Sequence, residues 1–191
     1  LREAVRWGSE VYQALRQILL EKGLSVGVGD EGGFAPAVAS NRQPLELIVQ
    51  AIEKAGYQPG DDIAICMDPA SSEFYANGKY RLRSENTELD AAQMTAYYQR
   101  LVQDFPIVLI EDGLAEDDWA GWRILSDALG DQVELVGDDL FVTNVKYIQR
   151  GIDERLANAA LIKLNQIGTL SETFAAVQLC QANGWGAFIS H

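Results

Sequence analysis

Five short apolar runs in this chain each close on an ionisable residue: Asp-Ile-Ala-Ile-Cys-Met-Asp68, Ile-Val-Leu-Ile-Glu111, Val-Glu-Leu-Val-Gly-Asp138, Ala-Ala-Leu-Ile-Lys163 and Gly-Ala-Phe-Ile-Ser-His191. A parallel strand buried on both faces reads as a near-continuous hydrophobic run, and a charge at its carboxyl end leaves the core for a site. The steps from 68 to 111, 138, 163 and 191 each leave room for a strand, a helix and two loops. That rhythm predicts an α/β chain built as a (β/α) barrel, whose active site forms at the carboxyl ends of its strands. Three carboxylates, a lysine and a histidine then converge on one mouth.

The 191 residues fall in the range of one domain, whereas a complete barrel of this class takes about 250. With Leu1 first and His191 closing the last apparent strand, the sequence reads as a partial barrel cut at both ends. The net charge of −13 argues against nucleic acid, which needs a basic footprint, and leaves acidity to spare for a divalent cation. No run approaches the ~20 apolar residues of a membrane span, and no secretory signal is visible. Cys66 lies in a strand-like run and Cys180 in a helix-like one, which predicts free thiols in a reducing compartment.

Apolar spacing predicts a helix over 3–22, stopped by Gly23, then a glycine-rich stretch Gly27-Val-Gly-Asp-Glu-Gly-Gly33 and a helix over 44–55. A strand over 63–67 precedes an irregular excursion, Ala70 to Glu88, in which Asn77-Gly78 marks a hairpin turn. Helices over 90–103, 117–129, 144–150 and 169–183 then alternate with strands over 107–110, 133–137, 159–162 and 186–190.

Six segments, in order and at consistent spacing, make the reading specific. Val28-Gly-Asp-Glu-Gly-Gly33, Ala70-Ser-Ser-Glu-Phe-Tyr75, Ile110-Glu-Asp112 with Ala115-Glu-Asp-Asp-Trp119, Asp138-Asp-Leu-Phe-Val-Thr-Asn144, Leu164-Asn-Gln-Ile-Gly-Thr169 and Ser190-His191 resemble the enolase family (phosphopyruvate hydratase). The resemblance implies a partial (β/α)8 TIM-like barrel of the enolase type, with residues 1–191 forming the central part of the C-terminal barrel domain. The family's N-terminal α+β domain and last barrel strands have no counterpart here. It further implies dehydration of 2-phosphoglycerate to phosphoenolpyruvate in glycolysis, a Mg²⁺ cofactor, a cytoplasmic homodimer or larger assembly, and a surface or secreted pool on family grounds alone. Residue by residue, Asp68, Glu111 and Asp138 match the ligands of Mg²⁺, and Glu111 and Asp138 also border the substrate. Lys163 matches the proton acceptor at C2, Glu31 the proton donor to the departing 3-hydroxyl, and His191 a substrate-binding histidine.

The chemistry asks for these residue types. Removing a proton next to a carboxylate builds up negative charge that hard cations with oxygen ligands stabilise. Lys163 becomes a base only if its pKa falls from about 10.4 towards neutrality; burial lowers it and carboxylates raise it, and residue order alone does not decide between them. Glu31 sits on a glycine-flanked loop whose backbone can approach a ligand closely.

Each residue also has a plainer use. A lone acid after a strand is more often a loop residue or helix cap, and a strand-end lysine commonly reaches solvent. Asp112, Asp117, Asp118 and Asp139 read as solvated or capping, with Asp139 near Lys163; Ser71 and Ser72 read as a lid-like segment, with turn-forming serines as the alternative. Trp7, Trp119, Trp122 and Trp185 read as packing residues. The glycine loop lacks the Lys-Ser/Thr of a phosphate-binding P-loop. Pro69 and Gly113 depart from the family's common pattern without replacing a ligand. Two other functions stay open: a non-catalytic binding protein on the same scaffold, and a related lyase acting on a different carboxylate. The chain taken alone is expected to be inactive and poorly stable, because an open barrel exposes sheet edges.

Overall fold

The computed structural model describes residues 1–191, which form two compact units: Leu1–Ile65 with Arg83–Glu85, and Cys66–Leu82 with Asn86–His191.

The first unit is built on α1 (Arg2–Glu21) and α2 (Arg42–Lys54). Their apolar stripes meet in a core of Ala14, Ile18, Leu19, Leu47 and Ala51, with Leu15, Val26, Phe34 and Val38 packed against it. Gly23, at φ +68, ends α1 in the left-handed region. The glycine-rich stretch is a closed turn. Gly32 N donates to Gly29 O (3.0 Å), Gly29 N to Gly33 O (2.9 Å), and Val28 bridges Phe34 in antiparallel fashion. Tyr12 stacks on Phe34 with 4.4 Å between ring centroids and donates its hydroxyl to Gly32 O (3.1 Å).

The five-stranded sheet runs in the order β1 (Ile65–Met67), β5 (Ile107–Glu111), β6 (Glu134–Gly137), β7 (Ala159–Ile162) and β8 (Gly186–Ile189). The last four are parallel, in the register Glu111↔Val136, Gly137↔Ala160 and Ile162↔Ile189. β7 reads Ala-Ala-Leu-Ile and is buried along its whole length, as a central parallel strand must be. The sheet is open, with β1 and β8 at its ends, so the fold is α/β with a partial barrel rather than a closed one.

Helices α3 (Ala91–Asp104), α4 (Trp119–Leu129), α5 (Val145–Glu154) and α7 (Leu170–Ala182) connect the strands, each started by a side-chain cap. Asp90 and Gln93 form a reciprocal capping box on α3. Asp118 caps α4 through Gly121 N (3.0 Å) and accepts the Tyr80 hydroxyl (2.7 Å). Trp122, fully buried, donates its indole N–H to Ala115 O.

The structure differs from the sequence reading in three places. The excursion after β1 is a small antiparallel sheet of β2 (Tyr75–Ala76), β3 (Lys79–Leu82) and β4 (Thr87–Leu89), and its Asn77-Gly78 turn has both residues at positive φ. Helix α5 runs past Gly151 to Glu154, and that glycine stands where a Cβ would lie 2.6 Å from the Phe141 ring. A single-turn helix, α6 (Leu164–Ile167), follows β7 and stops at Gly168, at φ +97.

Candidate metal and catalytic site

Parallel register puts the residues that end β5, β6 and β7 on one rim: Glu111 closes β5, Asp138 follows β6 and Lys163 follows β7. Asp68, after β1, joins them electrostatically, since its carboxylate acts on Glu111. Lys163 Nζ donates to Asp138 Oδ2 at 2.5 Å, and both side chains are mostly buried. Gln166, on α6, places its amide nitrogen 3.4 Å from Asp138 Oδ1.

The lysine is also fixed through its backbone. Its N–H donates to Thr143 Oγ1 (2.9 Å), and the same hydroxyl donates to Gln166 Oε1 (2.8 Å). Thr143 is fully buried. It and Val142 hold φ of +57 and +43, rare for β-branched residues and a form of strain that tends to collect at functional sites.

Charge on this rim is unbalanced. Burial, reinforced by the carboxylates of Asp68, Asp138 and Asp112, pushes Glu111 up to about 7, with Lys163 opposing. Partial burial pulls the Lys163 ammonium down, but its hydrogen bond to Asp138 and the charges of Asp138, Glu111 and Asp139 outweigh it, so its pKa lies above the ordinary lysine value. The competition left open by residue order is thus won by the carboxylates. An all-oxygen donor set in which one carboxylate is driven towards protonation by its neighbours is suited to a hard divalent cation, which reverses that penalty. Asp68, Glu111 and Asp138 could hold such an ion.

A second acidic trio, Asp112, Asp138 and Asp139, has carboxylate oxygens all within 4.8 Å of one another. The expectation that Asp112 is solvated or capping is corrected here: it is 5% exposed. Burial raises its pKa to about 7 against the pull of two backbone N–H donors. Asp139 and Asp117 are exposed, and Asp118 is the α4 cap. The lid-like reading of Ser71 is also corrected. It is fully buried, its hydroxyl donates to Gly113 O (2.8 Å), and its N–H donates to Asp112 O (3.1 Å). Ser72 Oγ accepts from Glu116 N (3.0 Å).

The hydrogen-bonded cluster does not include Glu31 or His191. Glu31 is exposed at the tip of the glycine turn in the first unit. His191 is exposed after β8, with Nδ1 3.0 Å from Ser190 Oγ. Thr143 and Gln166 had no role from sequence reasoning and Asp112 was read only as solvated or capping, although all three stand inside segments that carried the resemblance. Polar residues whose partners lie more than a dozen positions away leave no local pattern to read.

A family model described as "Enolase, C-terminal TIM barrel domain" matches residues 1–191. Enolase 1 of Methanospirillum hungatei is 60% identical over 189 residues, covering 99% of this chain and 44% of that relative. Enolase 2 of Pseudomonas syringae pv. syringae is 59% identical over 190 residues, covering 100% of this chain and 44% of that relative. The chain therefore spans less than half the length of the curated relatives it matches.

Proposed function

The chain belongs to the enolase family, within its C-terminal TIM barrel domain, and from that premise we propose that the full-length protein is a Mg²⁺-dependent lyase converting 2-phosphoglycerate to phosphoenolpyruvate. The observation that carries the reading is the strand-end cluster of Lys163, Asp138 and Glu111, which joins a cation to a carboxylate set suited to a hard metal.

Bound at Asp68, Glu111 and Asp138, Mg²⁺ would supply positive charge against the negative charge that develops on the substrate carboxylate. A cation held by those carboxylates would offset the negative charges that raise the Lys163 pKa, which would free Nζ as the neutral amine that takes the proton from C2. The electron pair of the C2–H bond becomes the C2=C3 double bond as the C3–O bond breaks. Glu31 gives its proton to the 3-hydroxyl, which leaves as water, so the atoms balance as phosphoenolpyruvate plus water. His191 contributes to substrate binding. Thr143 and Gln166 orient the lysine and its carboxylate partner through the bonds described above. On the same family grounds we assign the protein to glycolysis in the cytoplasm and to a homodimer or larger assembly, with residues 1–191 as the central part of its barrel domain.

Phosphoenolpyruvate formation by the full-length protein tests this, with Mg²⁺, with chelator, and with Lys163→Ala. Turnover that needs Mg²⁺ and is lost in Lys163→Ala is expected. A folded, Mg²⁺-binding protein without turnover of 2-phosphoglycerate would reject the substrate and turn the search to other carboxylates.

A further inference from the structure

Asp112 follows the ligand Glu111 and touches the segments that carry the other two. Its backbone N–H donates to Val136 O (3.0 Å), extending the β5–β6 ladder towards Asp138. Its carbonyl accepts from Ser71 N (3.1 Å), three residues past Asp68, whose Oδ1 in turn accepts from Ala70 N (2.9 Å). Its carboxylate is divided between two consecutive amides: Oδ1 accepts from Asp138 N and Oδ2 from Asp139 N, each at 2.9 Å. The residue adopts φ +41 and is 95% buried, being 5% exposed. A left-handed aspartate held by β6, by the loop after β6 and by the turn after β1 is over-determined, and the cost of that conformation persists only because the surroundings fix it.

We propose that Asp112 is a positioning residue that sets the spacing of Asp68, Glu111 and Asp138 by bracketing the backbone at Asp138–Asp139 and tying it to the segment after β1. The inference rests on the assignment of those three carboxylates as Mg²⁺ ligands. The chemistry requires aspartate. Two amides converge on two oxygens, and an asparagine offers one acceptor and one donor, so one amide would face an N–H₂ group. Although its oxygens lie near those of Asp138 and Asp139, each already accepts a backbone donor. Outer-shell groups that orient ligands usually change metal affinity by about 10- to 100-fold when removed.

The test uses the full-length protein with Asp112→Asn and Asp112→Ala, and Asp118→Ala as a control that removes the α4 cap. In chelator, hydrogen exchange is read at the amides of Asp138 and Asp139; with Mg²⁺ alone and no substrate, affinity is read by calorimetry. The expected results are protection of both amides in the parent, loss at one or both in the Asp112 variants, and Mg²⁺ affinity about 10- to 100-fold weaker. Asp118→Ala lowers stability and leaves affinity unchanged. Variants that bind Mg²⁺ as the parent does overturn the proposal while the metal assignment stands. A parent that binds no Mg²⁺ overturns both. Should neither Asp112 variant fold, exchange in the parent decides: protection of both amides supports the bracket, and free exchange at either removes it.

Discussion

The Cys180 thiol is fully enclosed in α7, and burial pushes its pKa from 9.0 up to about 11. Between those values the folded protein keeps the proton and the unfolded chain has lost it. Unfolding then releases a proton, and stability falls as pH rises from about 9 towards 11. Urea midpoints at pH 8 and pH 10.5 should therefore drop further in the parent than in Cys180→Ala, and equal drops would contradict the assignment. Thr143 gives a second test, because its hydroxyl is the acceptor for the Lys163 amide. Thr143→Val keeps the shape and strands that N–H, at a cost of about 1–3 kcal/mol. Thr143→Ser should recover most of the loss in the same denaturation experiment. Neither effect was legible in the sequence. Lys163 and Asp138 announced themselves as charges ending apolar runs, whereas Thr143 and Asp112 act through backbone groups distant in the chain.

Among the elements, the parallel strands were the most legible, since strands buried on both faces must be apolar throughout and β7 is so at every position, whereas β2–β4 were read only as an excursion around a turn. Helix ends were less so, as α5 shows. The predicted helix stops at 150, yet α5 continues through Gly151, where a Cβ would lie 2.6 Å from the Phe141 ring and 3.1 Å from Trp185. Gly137, at the end of β6, meets the same ring from another side, with a Cβ 2.5 Å away. The two glycines clamp Phe141, which is fully buried three residues after Asp138. The clamp ties α5 to the loop that carries the site. Helix propensity alone says that Gly151→Ala should stabilise by up to about 1 kcal/mol. Overpacking a closed core costs about 1–3 kcal/mol, and it should win here because a buried ring between two glycines has nowhere to move. Gly151→Ala is thus expected to lower the urea midpoint; a rise would show that the ring can shift.

On the scale of the 191-residue chain, the sheet does not close. β1 and β8 stand at its ends, and β8 presents Ile189 at 71% exposure and Phe188 at 37%. An open edge of an apolar strand is a template for pairing with another chain. No helix is long and apolar enough to cross a membrane. The family relatives are more than twice as long as the part matched here, and the rim of carboxylates and Lys163 uses only strands that this chain supplies. The 191-residue chain expressed alone should retain parallel-sheet secondary structure, bind a hydrophobic dye strongly and self-associate with rising concentration, without turning over 2-phosphoglycerate. Ile189→Lys, which puts a charge on the open edge, should reduce self-association without restoring turnover. Sedimentation velocity of both forms over a range of concentrations checks this: a parent chain that stays monomeric would show that the exposed edge is already protected.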